Sequence, residues 1–253
     1  MKIGILITAR LGSQRLKRKH LLEINNKPIL GYLVDRISYS FKKEVVNNNI
    51  DIIIATSKEI ENRSFENYFI NLLKIYYGSQ TNIPLRHLQV SNKYGLDAII
   101  SVDGDDIFCS TNGMKKVLQE LRNGSDYVKT INLPLGMNSQ GYSSAFLDIS
   151  LSNYMTEKLE TGWGRIFDER ELTIIDMQMN KDKRLRFTLD YIDDFKLFKK
   201  VILSLGQNIL SATDQDIINL VKQKKIYKMN HHLIDKYSKN FKKLLEQEVT
   251  ELK

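Results

Sequence analysis

Hydrophobic and polar positions along this chain fall into two repeating kinds of segment. Ile3-Gly4-Ile5-Leu6-Ile7 is a short, nearly continuous apolar run, and Asp51–Ser57 and Ala98–Val102 repeat it. Runs of this length, rich in Ile, predict strands buried on both faces of a sheet. Between the first two, Leu21–Ile24 and Asn25–Pro28 predict a short extended piece and a turn. Ile29, Leu30, Leu33, Val34 and Ile37 then recur at helical spacing, with Pro28 placed for a first turn. Glu61 to Tyr76 carries a helical pattern through Phe65, Tyr68, Phe69, Leu72 and Leu73. Thr81 to Tyr94 predicts a turn and another helix, closed by Gly95. A βαβαβ order of this kind predicts parallel strands with ligands at their carboxyl ends, which groups residues 8–19, 55–57 and 103–106.

The second half is less regular. Met114–Leu121 predicts a helix, Tyr127-Val128 an extended piece, and Pro134–Ser143 a loop or hairpin. Phe146–Leu159 predicts a helix broken by Gly162-Trp163-Gly164-Arg165. Arg184–Asp190 reads as a strand ending in a carboxylate, and Phe195–Leu205 and Asp214–Lys222 as helices. With no Pro/Ser-rich linker and no fixed repeat, the chain is expected to be one α/β domain over 1–220 with a basic helical C-terminal extension over 221–253.

Composition narrows the function classes. The 253 residues suffice to bury a core. No apolar run approaches the ~18 residues of a membrane helix, and the opening residues do not read as a signal peptide. One cysteine, Cys109, excludes an intrachain disulfide and a cysteine zinc cluster. The expected compartment is the cytoplasm, with no membrane partner. The net charge of +8 is concentrated at the end, where residues 222–253 hold nine lysines against Asp235, Glu246, Glu248 and Glu251. A solvated basic helical face accounts for that excess, and no interleaved aromatic motif points to nucleic acid.

The candidate chemistry sits at the strand ends. Residues 8–19 combine Gly12-Ser13 with Arg10, Arg15, Lys17, Arg18 and Lys19 and contain no acid. Backbone N–H groups and cations in such a loop suit a polyanion, here a nucleoside triphosphate. Asp103, Asp105 and Asp106 follow one buried strand and Asp190 ends another; carboxylates of this kind hold Mg²⁺ beside phosphates. Alone, Asp-Gly-Asp-Asp is equally a capped turn. His20, His87 and His231-His232 lack metal-site spacing and read as structural, and Cys109 as a small buried residue.

Ala9-Arg10-Leu11-Gly12-Ser13-Gln14-Arg15-Leu16 through Lys19 resembles the A-R-x-G-S-x-R-L-P-G-K signature of cytidylyltransferases that activate sialic acids, Kdo and related acids with CTP. The likeness continues in Lys27-Pro28-Ile29-Leu30, Ala55-Thr56-Ser57, Leu85-Arg86 and Gly104-Asp105. It returns in Thr188–Phe195, which is similar to the family's T-x-D-x-P-E-D-L segment. The resemblance implies a Rossmann-like nucleotidyltransferase fold, Mg²⁺ dependence and a homodimer. It implies that Arg10, Arg15 and Lys19 contact the triphosphate and act in catalysis, and that Asp105 and Asp190 bind Mg²⁺. Backbone groups from Ala9 through Leu11 and Gly12 to Ser13, with Arg86 and Asp103, would read the cytidine.

Three positions depart from the pattern: Lys17-Arg18 in place of Pro-Gly, Ile107 two residues after Asp105, and Ile192 in the late motif. The acceptor is sought in the polar stretch 135–145, with Asn138 and Gln140, and in Trp163, Arg165 and Arg186. The extra-basic loop favours a phosphorylated acceptor such as phosphoglutamine in capsule biosynthesis, with Lys17 and Arg18 near the second phosphate. A CMP-sugar synthetase for a nonulosonic acid or Kdo is the alternative. An Asp-x-Asp glycosyltransferase and a nucleic-acid-binding protein using the lysine-rich helices are the readings from other classes.

Overall fold

A computed structural model describes residues 1–154, 158–179 and 182–250. Its first half runs β1 (Ile3–Thr8), β2 (Glu23–Ile24), β3 (Lys27–Pro28), α1 (Ile29–Ser40), α2 (Lys42–Val46), β4 (Ile50–Ser57), α3 (Glu66–Phe69), β5 (Lys74–Gly78), α4 (Ile83–Tyr94) and β6 (Ala98–Asp103). The second half runs α5 (Thr111–Arg122), β7 (Tyr127–Ile131), β8 (Gln140–Ser143), α6 (Ser144–Ser152), β9 (Leu172–Asp176), α7 (Ile192–Leu205), α8 (Asp214–Gln223) and α9 (Leu233–Thr250). Among the described residues these strands form a seven-stranded sheet in the order β5-β4-β1-β6-β8-β7-β9, with β2 and β3 as a separate pair. Within the large sheet β8 alone opposes the other strands.

β1 is the axis of this arrangement. It is parallel to β4 and to β6, and the registers place Thr8 beside Ala55 and beside Asp103. Three strand ends therefore stop in one row. The chain winds outward from β1 through β4 to β5 and returns to β6 on the other side of β1, opening a crevice at the carboxyl ends of the strands.

The apolar runs supply both faces of the sheet. Ile3, Ile5 and Ile7 join one core with α1, α5, α7 and α8, while Leu6, Ile53 and Ile99 join the other with α4 and α6. Successive side chains point to opposite faces, so a continuous Ile/Leu run is what a sheet covered on both sides needs. Val221 and Ile226 belong to the same core as Ile5. Among the described residues no helix is long and apolar enough to cross a membrane.

Three predicted elements differ. The helix expected over Glu61–Tyr76 is a 3₁₀ stretch, Ile60–Phe65, then one turn of α3 and strand β5. Phe65 and Phe69 are buried at i, i+4, but Leu72 is exposed, so the helical period ends there. Lys74–Gly78 then pairs in parallel with β4. The helix expected over Phe146–Leu159 stops at Ser152, and Leu159 instead bridges to Asn82; residues 155–157 lie outside the described set.

The strand expected over Arg184–Asp190 is an irregular segment with a single bridge, Leu135 to Arg186. Its backbone passes so close to Gly136 that a Cβ there would collide with the Phe187 carbonyl. Gly136 also has φ +85°, a conformation glycine adopts without strain. Pro134–Ser143, read as loop or hairpin, ends in β8, inserted antiparallel between β6 and β7.

Candidate active site

The loop after β1 is held from several sides. The Leu11 N–H donates to Asn62 Oδ1 at 2.8 Å, and the Arg18 N–H donates to the Leu11 carbonyl at 3.3 Å. Arg18 sits at φ 50°, closing the turn that delivers Lys19 and His20 inward. Gly104 N–H donates to the Thr8 carbonyl at 2.8 Å. A Cβ on Gly104 would stand 2.9 Å from Ala9 Cβ, so the Asp-Gly-Asp turn approaches the loop at a distance that only glycine permits.

Arg10, Ser13, Arg15, Lys19, Asp103 and Asp105 converge on a cavity of about 850 Å³ at the row of strand ends. Lys19 Nζ lies 2.5 Å from Asp105 Oδ2 and 3.3 Å from Asp190 Oδ1. Arg15 pairs with the same Asp190 oxygen. His20 Nε2 lies 2.8 Å from Asp105 Oδ1 and its Nδ1 lies 3.0 Å from the Arg10 carbonyl. Burial works against the Lys19 charge, but Asp105 and Asp190 overcome it and hold the ammonium above its ordinary pKa. Asp105 is likewise desolvated, yet Lys19 and His20 keep its carboxyl below the usual range. Asp103 makes no ion pair or side-chain hydrogen bond among the described residues, and desolvation, then the Asp105 charge, outweighs Lys19 and pushes its carboxyl up to about 6.

Asp190 is set by the start of α7. Asp194 Oδ2 accepts the backbone N–H groups of Asp190 and Tyr191 at 3.0 and 2.9 Å. Arg186, fully buried, bridges the two carboxylates, with Nε 3.0 Å from Asp194 Oδ1 and Nη2 2.8 Å from Asp190 Oδ2. The Leu189 N–H donates to the Asp105 carbonyl at 2.9 Å, tying the two acidic segments together. Asp105 and Asp190 thus stand on either side of one cation.

The opposite wall comes from residues far along the chain. Arg10 makes a two-pronged pair with Glu160, at 2.6 and 3.1 Å. Glu248, at the end of α9, accepts the N–H groups of Glu160 and Thr161 at 3.1 and 2.9 Å and pairs with Arg165 at 2.7 Å. Asn240, Lys243 and Leu244 of α9 line the cavity beside Trp163. The C-terminal helix, read from sequence as a solvated basic face, is therefore solvated on one side and part of the site on the other.

A profile of the family described as Cytidylyltransferase matches residues 4–250. The chain belongs to the cytidylyltransferase family. It is 30% identical over 208 residues to the uncharacterized protein MJ1063 of Methanocaldococcus jannaschii, covering 78% of this chain and 82% of that one. It is 26% identical over 137 residues to the 3-deoxy-manno-octulosonate cytidylyltransferase of Alteromonas mediterranea. That match spans 53% of this chain and 52% of the relative, about half of each. The solved structure of a cytidylyltransferase from Leptospira borgpetersenii serovar Hardjo-bovis shares the fold, with a TM-score of 0.78 at 23% identity over 91% of this chain and 98% of that one. Family and fold make the chain a nucleotidyltransferase.

Most cytidylyltransferase signature residues meet at this one cavity. Ala9, Arg10, Gly12, Ser13, Arg15, Lys19, Arg86, Asp103 and Asp105 all line it, and Leu11 anchors the loop in the core. Arg86 is almost wholly buried, with Nε donating to the Ser79 carbonyl at 2.8 Å and Nη2 to the Gln80 carbonyl at 3.2 Å. Asp190 opens onto an adjoining cavity of about 330 Å³ that shares Arg15, Asp103 and Asp105 with the first.

The acceptor candidates separate. Gln140 lines the smaller cavity and Trp163 lines both. Asn138 lines neither, and its amide donates to the Leu133 carbonyl at 3.2 Å. Arg165 is committed to Glu248, Tyr154 and the Thr161 carbonyl, and Arg186 to Asp190 and Asp194. Lys17 and Arg18 are exposed and line neither cavity, so the extra basic charge of the loop faces solvent.

Four contributors carry little sequence signal. His20, read as structural, contacts Asp105 directly. Glu160, Thr161 and Glu248 belong to no quoted motif and are brought in by long-range packing. Asp194 lay inside a quoted segment, and its helix-start position three residues after Tyr191 is the signal for its role.

Proposed function

We propose that this chain transfers a cytidylyl group from CTP to an oxygen of a small acidic acceptor and releases pyrophosphate. The observation that carries the reading is the meeting of Arg10, Arg15 and Lys19 with Asp105 and Asp190 at the carboxyl ends of β1 and β6. On CTP entry Arg15 and Lys19 exchange carboxylate partners for phosphate oxygens, and Arg10 exchanges Glu160. Loop N–H groups and Arg86 orient the base. The acceptor oxygen attacks the α-phosphorus in line, the bond to the β-phosphate breaks, and the acceptor's proton leaves to solvent. Positioning and charge neutralisation suffice for such a transfer, without a covalent catalyst.

Asp105 and Asp190 form an all-oxygen donor pair that one cation, Lys19, already bridges. No set of three or more metal-ligating side chains occurs among the described residues. A pair of carboxylates whose remaining ligands are phosphate and water fits Mg²⁺. When bound, Mg²⁺ supplies charge neutralisation on the phosphate oxygens.

The acceptor is read from the smaller cavity. Asp103, Asp105, Glu160 and Asp190 line it together with Gln140 and Tyr237, so the hydroxyl groups of a ligand find hydrogen-bonding partners there. A hydroxylated sugar acid is the acceptor class this wall supports, ahead of phosphoglutamine, since Lys17 and Arg18 do not reach the cavity. The Asp-x-Asp glycosyltransferase reading leaves Arg10, Arg15 and Lys19 without a task. Incubation with Mg²⁺, each of the four nucleoside triphosphates and acidic acceptors is expected to release pyrophosphate with CTP. Hydrolysis of a nucleotide sugar with no pyrophosphate from any triphosphate would overturn the reading.

A further inference from the structure

We propose that helix α9 builds the acceptor subsite of its own chain, with Tyr237 and Phe241 facing Gln140 and Trp163 as specificity-determining residues. This rests on the cytidylyltransferase reading above and assigns that reaction's second substrate to one wall. Tyr237, Phe241 and Leu244 lie on one face of α9, at helical spacing, and line the 330 Å³ cavity. The cavity touches Arg15, Asp105 and Asp190, where the α-phosphorus must be approached, and Trp163 lines both it and the larger cavity.

Two polar groups of the cavity lining are open to a ligand. The Gln140 side-chain amide and the Tyr237 hydroxyl have no hydrogen-bond partner among the described residues. The helix carrying Tyr237 is fixed in place. Glu248 anchors its end to residues 160, 161 and 165, Asn240 Nδ2 donates to Tyr191 Oη at 2.8 Å, and the Tyr237 ring centroid lies 4.4 Å from the Arg186 guanidinium carbon. A wall fixed at three points, with aromatic faces and open hydrogen-bonding groups, matches a small hydroxylated acceptor.

Trp163 is the sole tryptophan, so its emission reports binding at both cavities. The full chain, Tyr237→Phe and Phe241→Ala are titrated with CTP and Mg²⁺ and then assayed for pyrophosphate release. The acceptor probes are 3-deoxy-manno-octulosonate, N-acetylneuraminate and phosphoglutamine. CTP affinity is expected to stay within about twofold in both variants. The acceptor KM is expected to rise about threefold to tenfold in Tyr237→Phe from one lost hydrogen bond, and about tenfold in Phe241→Ala, with kcat changed far less. Unchanged acceptor KM in both variants, or CTP binding weakened as much as the acceptor, overturns the proposal. If no probe turns over, the CTP-loaded protein is titrated with each probe, and the lack of any Trp163 response counts against the subsite. Absence of a CTP response in the unmodified chain breaks the cytidylyltransferase reading instead.

Discussion

The two walls of the cavity are built in different ways. One wall, the loop after β1 and the turn after β6, arises from short segments whose geometry is set by adjacent parallel strands: Thr8, Ala55 and Asp103 share a row. The other wall joins residues 160–163 to α9, roughly eighty positions later, through Glu248. The first wall presents the charges that any nucleoside triphosphate requires. The second presents rings, amides and hydroxyls, which suit a smaller and more particular ligand. A scaffold wall can keep one chemistry while a separately assembled wall sets what that chemistry acts upon.

The comparison is broken most directly on the charged wall. Asp105→Asn is expected to lower kcat about 10²- to 10³-fold, as loss of one charge-positioning group in a transfer site does, with the circular dichroism spectrum unchanged. Retained turnover would remove Asp105 from the site. On the other wall, Glu248→Ala leaves Arg165 and two backbone N–H groups without their acceptor. It is expected to destabilise the protein by about 2 kcal/mol in urea unfolding; an unchanged midpoint would mean that Glu248 does not hold α9.

The support beneath the charged wall has its own pH signature. His87 lies 2.7 Å from Thr8 Oγ1 and 2.6 Å from Tyr142 Oη, and burial, with Arg86 adding to it, depresses its pKa to about 3. Folded protein therefore keeps His87 neutral while the unfolded chain takes up a proton below about pH 6.5. Stability is expected to fall as pH drops from there toward 3, by up to about 1.4 kcal/mol per pH unit from this group, and the slope should diminish in His87→Gln. An identical slope in the variant would assign the dependence to other groups.

The smallest effect tests the seam between the walls. Glu160 pairs with Arg10, the residue that the proposed function gives to a triphosphate oxygen. Glu160→Gln is expected to tighten CTP binding by about twofold to fivefold, the scale of a partly exposed ion pair. Weaker CTP binding would instead make Glu160 a contact of the nucleotide.

Legibility in the sequence followed how local each interaction is. Ile3–Ile7, Asp51–Ser57 and Ala98–Val102 specify their strands through continuous apolar character, and the row of strand ends follows from βαβ order. Gly12-Ser13, the loop cations and Asp103-Gly104-Asp105 were legible because one short segment carries each. Lys74–Gly78 was misread because a helical period through Phe65 and Phe69 runs directly into it. Arg184–Asp190 differs from the expected strand because Arg186 turns inward to Asp190 and Asp194 while Arg184 pairs with Asp182 at the surface, leaving only a bridge at Leu135.

By itself, the sequence determined the parallel α/β scaffold, the family, and the identity of the cations and carboxylates at the strand ends. Tertiary structure alone decided that Lys17 and Arg18 face solvent, that Arg186 is internal, and that α9 returns to line the site. The physical reason is separation along the chain. Strand burial and loop charge are encoded within about a dozen neighbouring residues, whereas Glu248 meets Glu160 and Thr161 only after the whole sheet and its helices have packed.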